Sequence, residues 1–393
     1  MPEKSNGTES NRLLLSALFV TGFATHARII ISGLLLIEIG KTFNVPVGIA
    51  GQVTTAAASI AIIAALIMGA LSMRYSPRTL LLTGMGFYTV SAIGCYIAPS
   101  FWTLLITYAL SGAGGAMVYP MLGTIIGETL PKEERSKGLG LITAGQPVSF
   151  VVGTPLVSYI AARADWRLAF LGYMLPVVIL SAIIIYYGVP RTQIQQKEQS
   201  IDTMAGFRGV LSSRSAVGCL IGTTLYQASM WTAFSFIISF FRESFMMSAD
   251  RASWLLSALT VMCAIGSVTS GSVVKRFGRQ RSAVIGSILL GVMVIVIYNI
   301  NILWVSIGVS LIWGYIIGFG YVSGDSLTLD QVPDYRGTLM SLNTVSRSAG
   351  AMIGTLIGGY VLLNFNYGWF GLVMGVLGIF ASLVYGLIVT EMN

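Results

Sequence analysis

The chain has few charged residues, one histidine and three scattered cysteines. Charged residues make up 10% of its 393 residues, against about 25% in a typical water-soluble domain. His26 and the separate Cys95, Cys219 and Cys263 offer no spacing suited to zinc or haem. The polar segments hold neither a Gly-rich phosphate loop nor a Ser-His-Asp set. We therefore expect no metal, no cofactor and no enzymatic activity.

Hydrophobic residues, in contrast, make up 55% of the sequence. They fall into a dozen runs of about 20 to 26 residues, each long enough to cross ~30 Å of hydrocarbon at ~1.5 Å per residue. These runs predict an all-α membrane protein with twelve transmembrane helices. The predicted spans are 13 to 37, 47 to 72, 79 to 98, 101 to 126, 137 to 161, 168 to 188, 215 to 240, 252 to 274, 282 to 299, 302 to 324, 337 to 363 and 367 to 389.

The distribution of lysine and arginine predicts the orientation of these spans. Of the 23 basic residues, sixteen fall on one side of the predicted spans and five on the other, with Arg28 and Arg347 inside. The positive-inside rule then places both termini in the cytoplasm and the protein in the plasma or inner membrane. The first span has no small-residue cleavage site and is expected to be retained. The basic residues form no single face, so we expect lipid contact and no nucleic-acid partner.

A long polar stretch divides the spans into two sets of six, and the two sets repeat. The expected parts are an N-terminal six-helix bundle at 1–190, a cytoplasmic linker at 191–214 and a C-terminal six-helix bundle at 215–393. Corresponding residues lie about 202 positions apart, namely Gly69 and Gly271, Arg135 and Arg336, and Trp166 and Trp369. This near-constant offset predicts two pseudo-symmetric bundles.

Two basic loops carry a family resemblance. GALSMRYSPR follows span 2 and GSVVKRFGRQR follows span 8, both on a G-x-x-x-(D)-R-x-G-R-x pattern. The sequence departs from the pattern with Met73 and Lys275 in place of aspartate and Ser76 in place of glycine. With these loops and the repeated halves, the chain resembles the major facilitator superfamily. That resemblance implies two bundles around a central cavity and secondary transport by alternating access.

Two shorter motifs are similar to those of the twelve-span drug:proton antiporter branch of that superfamily. Asp165-Trp166-Arg167 precedes Ala169-Phe170 at the start of span 6, and Gly153-Thr154-Pro155 lies in span 5. This second resemblance implies proton-driven efflux by antiport.

Two arginines lie deep inside the predicted spans. Arg28 is roughly 22 Å and Arg347 roughly 15 Å from the cytoplasmic end by helix rise. A mid-membrane arginine costs at least ~2.5 kcal/mol on insertion scales, so a polar or anionic partner is expected for each. No acidic residue is expected at comparable depth. The excess positive charge therefore predicts a small anionic or partly anionic amphipathic substrate.

Three amides are expected to join the arginines in a substrate site. Asn343 precedes Arg347 by one turn, Gln146 corresponds to Arg347 in the other half, and Gln227 lies near the position that corresponds to Arg28. The alternative is that each arginine only caps backbone carbonyls or bonds neighbouring amides.

His26 is the candidate for proton coupling, because histidine changes charge between about pH 5 and 8. The alternative is a histidine that only forms hydrogen bonds within the helix packing.

A cytoplasmic gate is the third predicted site. Family resemblance implies that acids at the ends of spans 4 and 10 pair with the basic loops. In this chain Glu128 would pair with Arg74 or Arg78, and Asp330 with Arg276 or Arg279. Solvated charge at helix ends is the alternative.

The leading hypothesis is therefore a proton-coupled or facilitative transporter of an organic anion or a partly anionic amphipathic compound, and we expect it to work as a monomer. A multidrug efflux antiporter is the first alternative, and a membrane sensor that does not transport is the second. Glycines at four-residue spacing, such as Gly314 and Gly318, are expected to let helices approach closely.

Overall fold

The computed structural model describes residues 4–130, 132–190, 203–329, 331–332 and 335–390, and these ranges contain helices and connecting turns but no strand. The helices are α1 (Lys4–Ala24), α2 (Ala27–Leu34), α3 (Leu36–Phe43), α4 (Val47–Ala50), α5 (Gln52–Arg74), α6 (Pro77–Ile97), α7 (Phe101–Thr129), α8 (Lys132–Arg163), α9 (Leu175–Gly188), α10 (Thr203–Ser212), α11 (Arg214–Ser244), α12 (Ala249–Phe277), α13 (Arg279–Asn299), α14 (Leu303–Leu329), α15 (Arg336–Asn364) and α16 (Tyr367–Leu387). A π-helical turn, Phe170–Met174, precedes α9.

All twelve predicted spans have a helical counterpart. Within the described residues, ten segments are long and apolar enough to cross a membrane. The other two counterparts are α11 and α15, with 31 and 29 residues. The polar residues of these two helices include Gln227, Asn343 and Arg347. The predicted all-α membrane fold is confirmed.

The contacts divide the chain into two compact units, of which the first contains Met1–Glu38 and Ser59–Gln196. Within it α1 packs on α8 and α9, and α6 packs on α7. A Cβ atom on Gly22 would lie 2.4 Å from the Ile142 carbonyl oxygen, and one on Gly145 would lie 2.6 Å from the Phe19 carbonyl oxygen. The backbones of α1 and α8 therefore touch, which fixes the position of the residues that follow Gly22.

The turn before the π-helical segment is stabilised by contacts of its own charged residues. Asp165 accepts a hydrogen bond from the Arg167 backbone at 2.8 Å and forms an ion pair with its guanidinium at 3.4 Å. The same guanidinium lies 5.0 Å from the Trp166 ring and donates to the Ala98 carbonyl at 3.3 Å. This motif thus joins the start of the sixth span to the end of α6.

The second unit contains Ile39–Ala58 and Lys197–Asn393. Its closest helix pairs are α13 with α16, α12 with α14, and α11 with α15. Cβ atoms on Gly350 and Gly354 would lie 2.3 Å from carbonyl oxygens of Thr224 and Ala228, so α11 and α15 run in parallel with touching backbones. Close helix approach at the spaced glycines is confirmed.

The short stretch from residue 39 to 58 belongs to this second unit through polar contacts with α15. Gln52 donates to the Thr355 carbonyl at 3.0 Å, and the hydroxyls of Thr55 and Thr355 lie 2.7 Å apart. The predicted division at 1–190, 191–214 and 215–393 stays a prediction, and residues 191–202 lie outside the described ranges.

Candidate functional site

The first predicted span is interrupted near its middle, which corrects the expectation of one helix from 13 to 37. Between α1 and α2, Thr25 and His26 form a turn. The His26 N–H donates to the Phe23 carbonyl at 3.3 Å, and the His26 carbonyl accepts from both Ile29 and Ile30. The interruption puts Arg28 in the first turn of α2, where the positive end of the helix dipole lies.

Arg28 is partly buried in the first unit and is surrounded by tyrosines. Its Cζ atom lies 6.0 Å from the centre of the Tyr108 ring, and the hydroxyls of Tyr88 and Tyr108 both interact with the guanidinium. Its buried Nε has no hydrogen-bond partner. Among the described residues, no carboxylate lies within ion-pair distance of Arg28. The guanidinium is therefore charged and incompletely satisfied.

The hydrogen bonds of Tyr108 leave its lone pairs available to this cation. Its hydroxyl lies 2.8 Å from the Ser32 Oγ and 3.1 Å from the Arg28 carbonyl oxygen, and its one hydrogen is donated to one of these acceptors or shared between them. Since its single hydrogen is used there, the phenol oxygen can only accept from Arg28. Gly115 leaves room for the cluster, because a Cβ atom there would lie 3.1 Å from the Tyr88 hydroxyl.

His26 is buried, and both of its ring nitrogens have partners. Nδ1 lies 3.0 Å from the Gly22 carbonyl oxygen, and Nε2 lies 3.1 Å from the Tyr119 hydroxyl. A carbonyl only accepts, so Nδ1 carries a hydrogen, and in a neutral ring Nε2 accepts the hydrogen of the Tyr119 hydroxyl. These contacts suit a packing residue, while proton coupling by His26 stays a prediction.

Replacing Tyr119 with phenylalanine separates these two roles. The change leaves Nε2 without its donor, and we expect the free energy of unfolding to fall by about 1–2 kcal/mol. If His26 only packs, the pH profile of transport stays that of the wild type, measured in proteoliposomes. A displaced pH profile would instead support coupling through His26.

Arg347 forms an ion pair with Asp325, a residue that the sequence analysis did not select. The guanidinium contacts Asp325 Oδ1, and the same oxygen accepts from Asn343 Nδ2 at 3.1 Å. The Arg347 Cζ atom also lies 4.0 Å from the centre of the Tyr321 ring. The pair is only partly buried, with side-chain exposures of 20% for Arg347 and 28% for Asp325.

The expectation that no acid lies at a comparable depth is therefore wrong for Arg347, whose guanidinium meets a carboxylate. The predicted tenth span stopped at 324, whereas α14 continues to Leu329 and includes Asp325. Side chains on a helix lean toward its N-terminus. Because α14 and α15 run in opposite directions, Asp325 leans toward the middle of α14 and Arg347 leans toward the first residues of α15. The two side chains thus meet, although their Cα atoms differ in depth.

The three predicted amides have different surroundings. Asn343 is 1% and Gln227 is 7% exposed, and the Oδ1 of the first and the Oε1 of the second have no hydrogen-bond donor. Gln227 packs beside Gly350, one turn after Arg347. Gln146 belongs to the first unit, where it is partly buried on α8. Asn343, Arg347 and Gln227 therefore share one region of the second unit.

The predicted cytoplasmic gate stays a prediction. Asp330 and the side chain of Glu128 lie outside the described part of the structure. Arg78 lies 4.7 Å from the Tyr186 ring and donates to the Tyr186 carbonyl. Arg276 lies 5.6 Å from the Phe277 ring. The Arg74 side chain is exposed, while α13 begins at Arg279.

Comparisons with known proteins agree over nearly the whole chain. The family model described as Major Facilitator Superfamily matches residues 15–232 and 219–392. An uncharacterized MFS-type transporter, YceJ of Bacillus subtilis (strain 168), is 24% identical over 365 residues, which cover 92% of this chain and 91% of the relative. A probable sugar efflux transporter of Helicobacter pylori (strain ATCC 700392 / 26695) is 22% identical over 347 residues, 88% of each protein.

Among solved structures, a bacterial homologue of the human lysosomal transporter Spinster has a similar fold. In its inward-facing and unoccupied conformation it superposes with a TM-score of 0.78 at 16% identity, covering 96% of each chain. At this identity the likeness concerns the fold alone.

In the described residues, no group of three or more His, Cys, Asp or Glu side chains could hold a metal ion.

Proposed function

This chain belongs to the Major Facilitator Superfamily and is a secondary transporter of a small molecule, and we propose that this molecule carries an anionic group bound by Arg28. The protein is a multi-pass membrane protein and not an enzyme. We further propose that it moves the solute by alternating access and couples the movement to protons. Cytoplasmic termini and a monomeric state remain predictions.

The unpartnered Nε of Arg28 is the observation that carries the anionic proposal. Among the described residues the guanidinium interacts with two neutral phenols and no carboxylate, so its charge is uncompensated within the first unit. A carboxylate or phosphate would supply the stronger, charge-assisted hydrogen bonds that the phenols do not. The Arg347–Asp325 pair is neutral overall and leaves the sign of this charge unchanged.

A sugar efflux transporter is the second candidate. The Helicobacter pylori relative is named as a probable transporter of this kind. Buried acceptor atoms on Gln227 and Asn343 lack donors, and sugar hydroxyls would donate to them. Multidrug efflux of cations is the third candidate function, since the carboxylate of Asp325 lies deep in its span and would attract a cation. Arg347 already pairs with that carboxylate, which reduces its attraction for a cation.

A thermal-shift screen of the purified chain tests the charge of the substrate. The panel pairs anions with their neutral amides, benzoate with benzamide and lactate with lactamide, and adds glucose and tetraphenylphosphonium. We expect at least one anion, and not its amide, to raise the melting temperature, because a ligand at 100 times its Kd adds about 2.7 kcal/mol. Stabilisation by glucose alone supports sugar efflux, and stabilisation by the cation alone supports multidrug efflux. Either result, or no stabilising anion, contradicts the proposal.

A further inference from the structure

A groove of about 410 Å³ lies between α6 and α9 in the first unit. The Thr89 hydroxyl in its wall donates to the Met85 carbonyl at 3.0 Å, so it offers no hydrogen to a ligand. A Cβ atom on Gly86 would have no neighbour within 4 Å, so the groove is open beside this residue. The groove therefore suits an apolar chain better than a polar solute. Its lining residues are Leu82, Met85, Gly86, Thr89, Ile179, Ala182, Ile183, Tyr186 and Tyr187.

One end of the groove is aromatic and positively charged. Tyr186 and Tyr187 are 49% and 74% exposed, and their rings meet edge to face at 5.2 Å. The Arg78 Cζ atom lies 4.7 Å from the centre of the Tyr186 ring, and its guanidinium donates to the Tyr186 carbonyl. An arginine carries five N–H donors. Among the described residues no carboxylate forms an ion pair with Arg78, so this end of the groove keeps a positive charge and donors for an anion.

The charged end of the groove lies where both of its helices end. α6 begins at Pro77 and α9 ends at Gly188, so Arg78 and the two tyrosines occupy the terminal turns of two spans. Tyrosine is enriched at the level of the lipid headgroups. From Arg78 to Thr89 the distance along α6 is about 16 Å by helix rise, toward the middle of the membrane. The positive end is therefore at headgroup depth and the apolar part at acyl-chain depth.

We propose that this groove binds an anionic phospholipid, with an acyl chain between α6 and α9 and the phosphate on Arg78. The guanidinium supplies charge-assisted hydrogen bonds to the phosphate, and the phenol hydroxyls are further donors. The predicted orientation places this end in the cytoplasmic leaflet, whose anionic lipids attract basic side chains. The site is separate from Arg28 and does not depend on which solute is transported. With Arg78 on the lipid, Arg74 is the remaining predicted partner of Glu128.

Native mass spectrometry of the full chain in detergent tests the headgroup end. Phosphatidylglycerol and phosphatidylcholine with the same acyl chains are titrated, and the Kd of the first bound lipid is measured. The wild type should prefer phosphatidylglycerol, because the choline cation offsets the charge of its phosphate. We expect Arg78→Gln to weaken phosphatidylglycerol binding about tenfold, the effect of one lost charge-assisted hydrogen bond.

Arg163→Gln is the matched control for this variant. It removes another arginine stacked on a tyrosine, at 4.5 Å from the Tyr159 ring, that does not line the groove. It should bind phosphatidylglycerol like the wild type. Wild-type binding in Arg78→Gln overturns the proposal.

A second pair of variants tests the acyl-chain part of the groove. Gly86→Leu puts a side chain into the open space and should weaken the binding of both lipids, since they share their acyl chains. Gly308→Leu adds the same side chain at an exposed glycine of α14 that also has no neighbour within 4 Å, and it should bind like the wild type. Both variants should fold, because leucine has a higher helix propensity than glycine. Unchanged lipid binding in Gly86→Leu contradicts the proposal.

Photolabelling locates the bound lipid. Phosphatidylglycerol with a diazirine in its acyl chain is added to the wild type, and we expect label in peptides of α6 and α9 that excess unlabelled phosphatidylglycerol prevents. Equal competition by phosphatidylcholine would show an acyl-chain groove without charge selectivity. Competition by benzoate or lactate would show a solute site, and a cross-link to a second copy of the chain would show a subunit interface. Each of these three results, or label on other helices only, overturns the lipid site and leaves the proposed role of Arg28 intact.

Discussion

Replacing Arg28 with glutamine is expected to reduce uptake of an anionic substrate by about 100-fold or more, while the protein still folds. Two charge-assisted hydrogen bonds are lost, worth about 3 kcal/mol together, and each 1.4 kcal/mol is tenfold in affinity. Folding should not suffer, because a mid-membrane arginine itself costs at least ~2.5 kcal/mol on insertion scales. Uptake of the stabilising anion into proteoliposomes and the melting temperature measure the two effects.

Two further variants sharpen this test. Arg28→Lys keeps the positive charge but lacks the planar guanidinium that can form two parallel hydrogen bonds, so we expect an intermediate loss of uptake. Arg163→Gln removes a cation at the end of α8 that stacks on Tyr159, 4.5 Å away, and it should transport like the wild type. Wild-type anion uptake in Arg28→Gln would show that Arg28 only stabilises the packing around Tyr88 and Tyr108.

Replacing Gly318 with alanine is expected to destabilise the second unit by about 3 kcal/mol or more, the upper range for overpacked sites. The added Cβ would lie 1.9 Å from the Cys263 carbonyl oxygen and 2.8 Å from the Ser267 nitrogen. Both neighbours are backbone atoms of α12, so α14 must move away from α12 to make room. Melting temperature and the monodisperse yield in detergent measure this loss.

Gly308 supplies the control within the same helix. A Cβ atom there would have no neighbour within 4 Å. Alanine has a higher helix propensity than glycine by up to about 1 kcal/mol, so Gly308→Ala should melt at or above the wild-type temperature. Equal melting temperatures for the Gly318 and Gly308 variants would contradict this prediction, because they would mean that α12 and α14 can move apart without loss of stability.

The sequence by itself was sufficient to predict the fold class and the family. Long apolar runs have one stable solution in a bilayer, because every backbone polar group must be bonded within its own helix. The basic loops after spans 2 and 8 and the near-constant offset between the halves then indicated the superfamily. Arg28 and Arg347 could also be selected from the sequence, since a charge inside an apolar run is conspicuous without any tertiary information.

Only the tertiary structure decided which side chains meet. Asp325 lies 22 positions before Arg347 and just beyond the predicted end of its span, and nothing local marks it as the partner. The opposite lean of side chains on two antiparallel helices brings the pair together. The turn at Thr25 and His26 also went unpredicted, because neither proline nor glycine occupies those two positions. Hydropathy follows from each residue alone, whereas an ion pair depends on the packing of two helices.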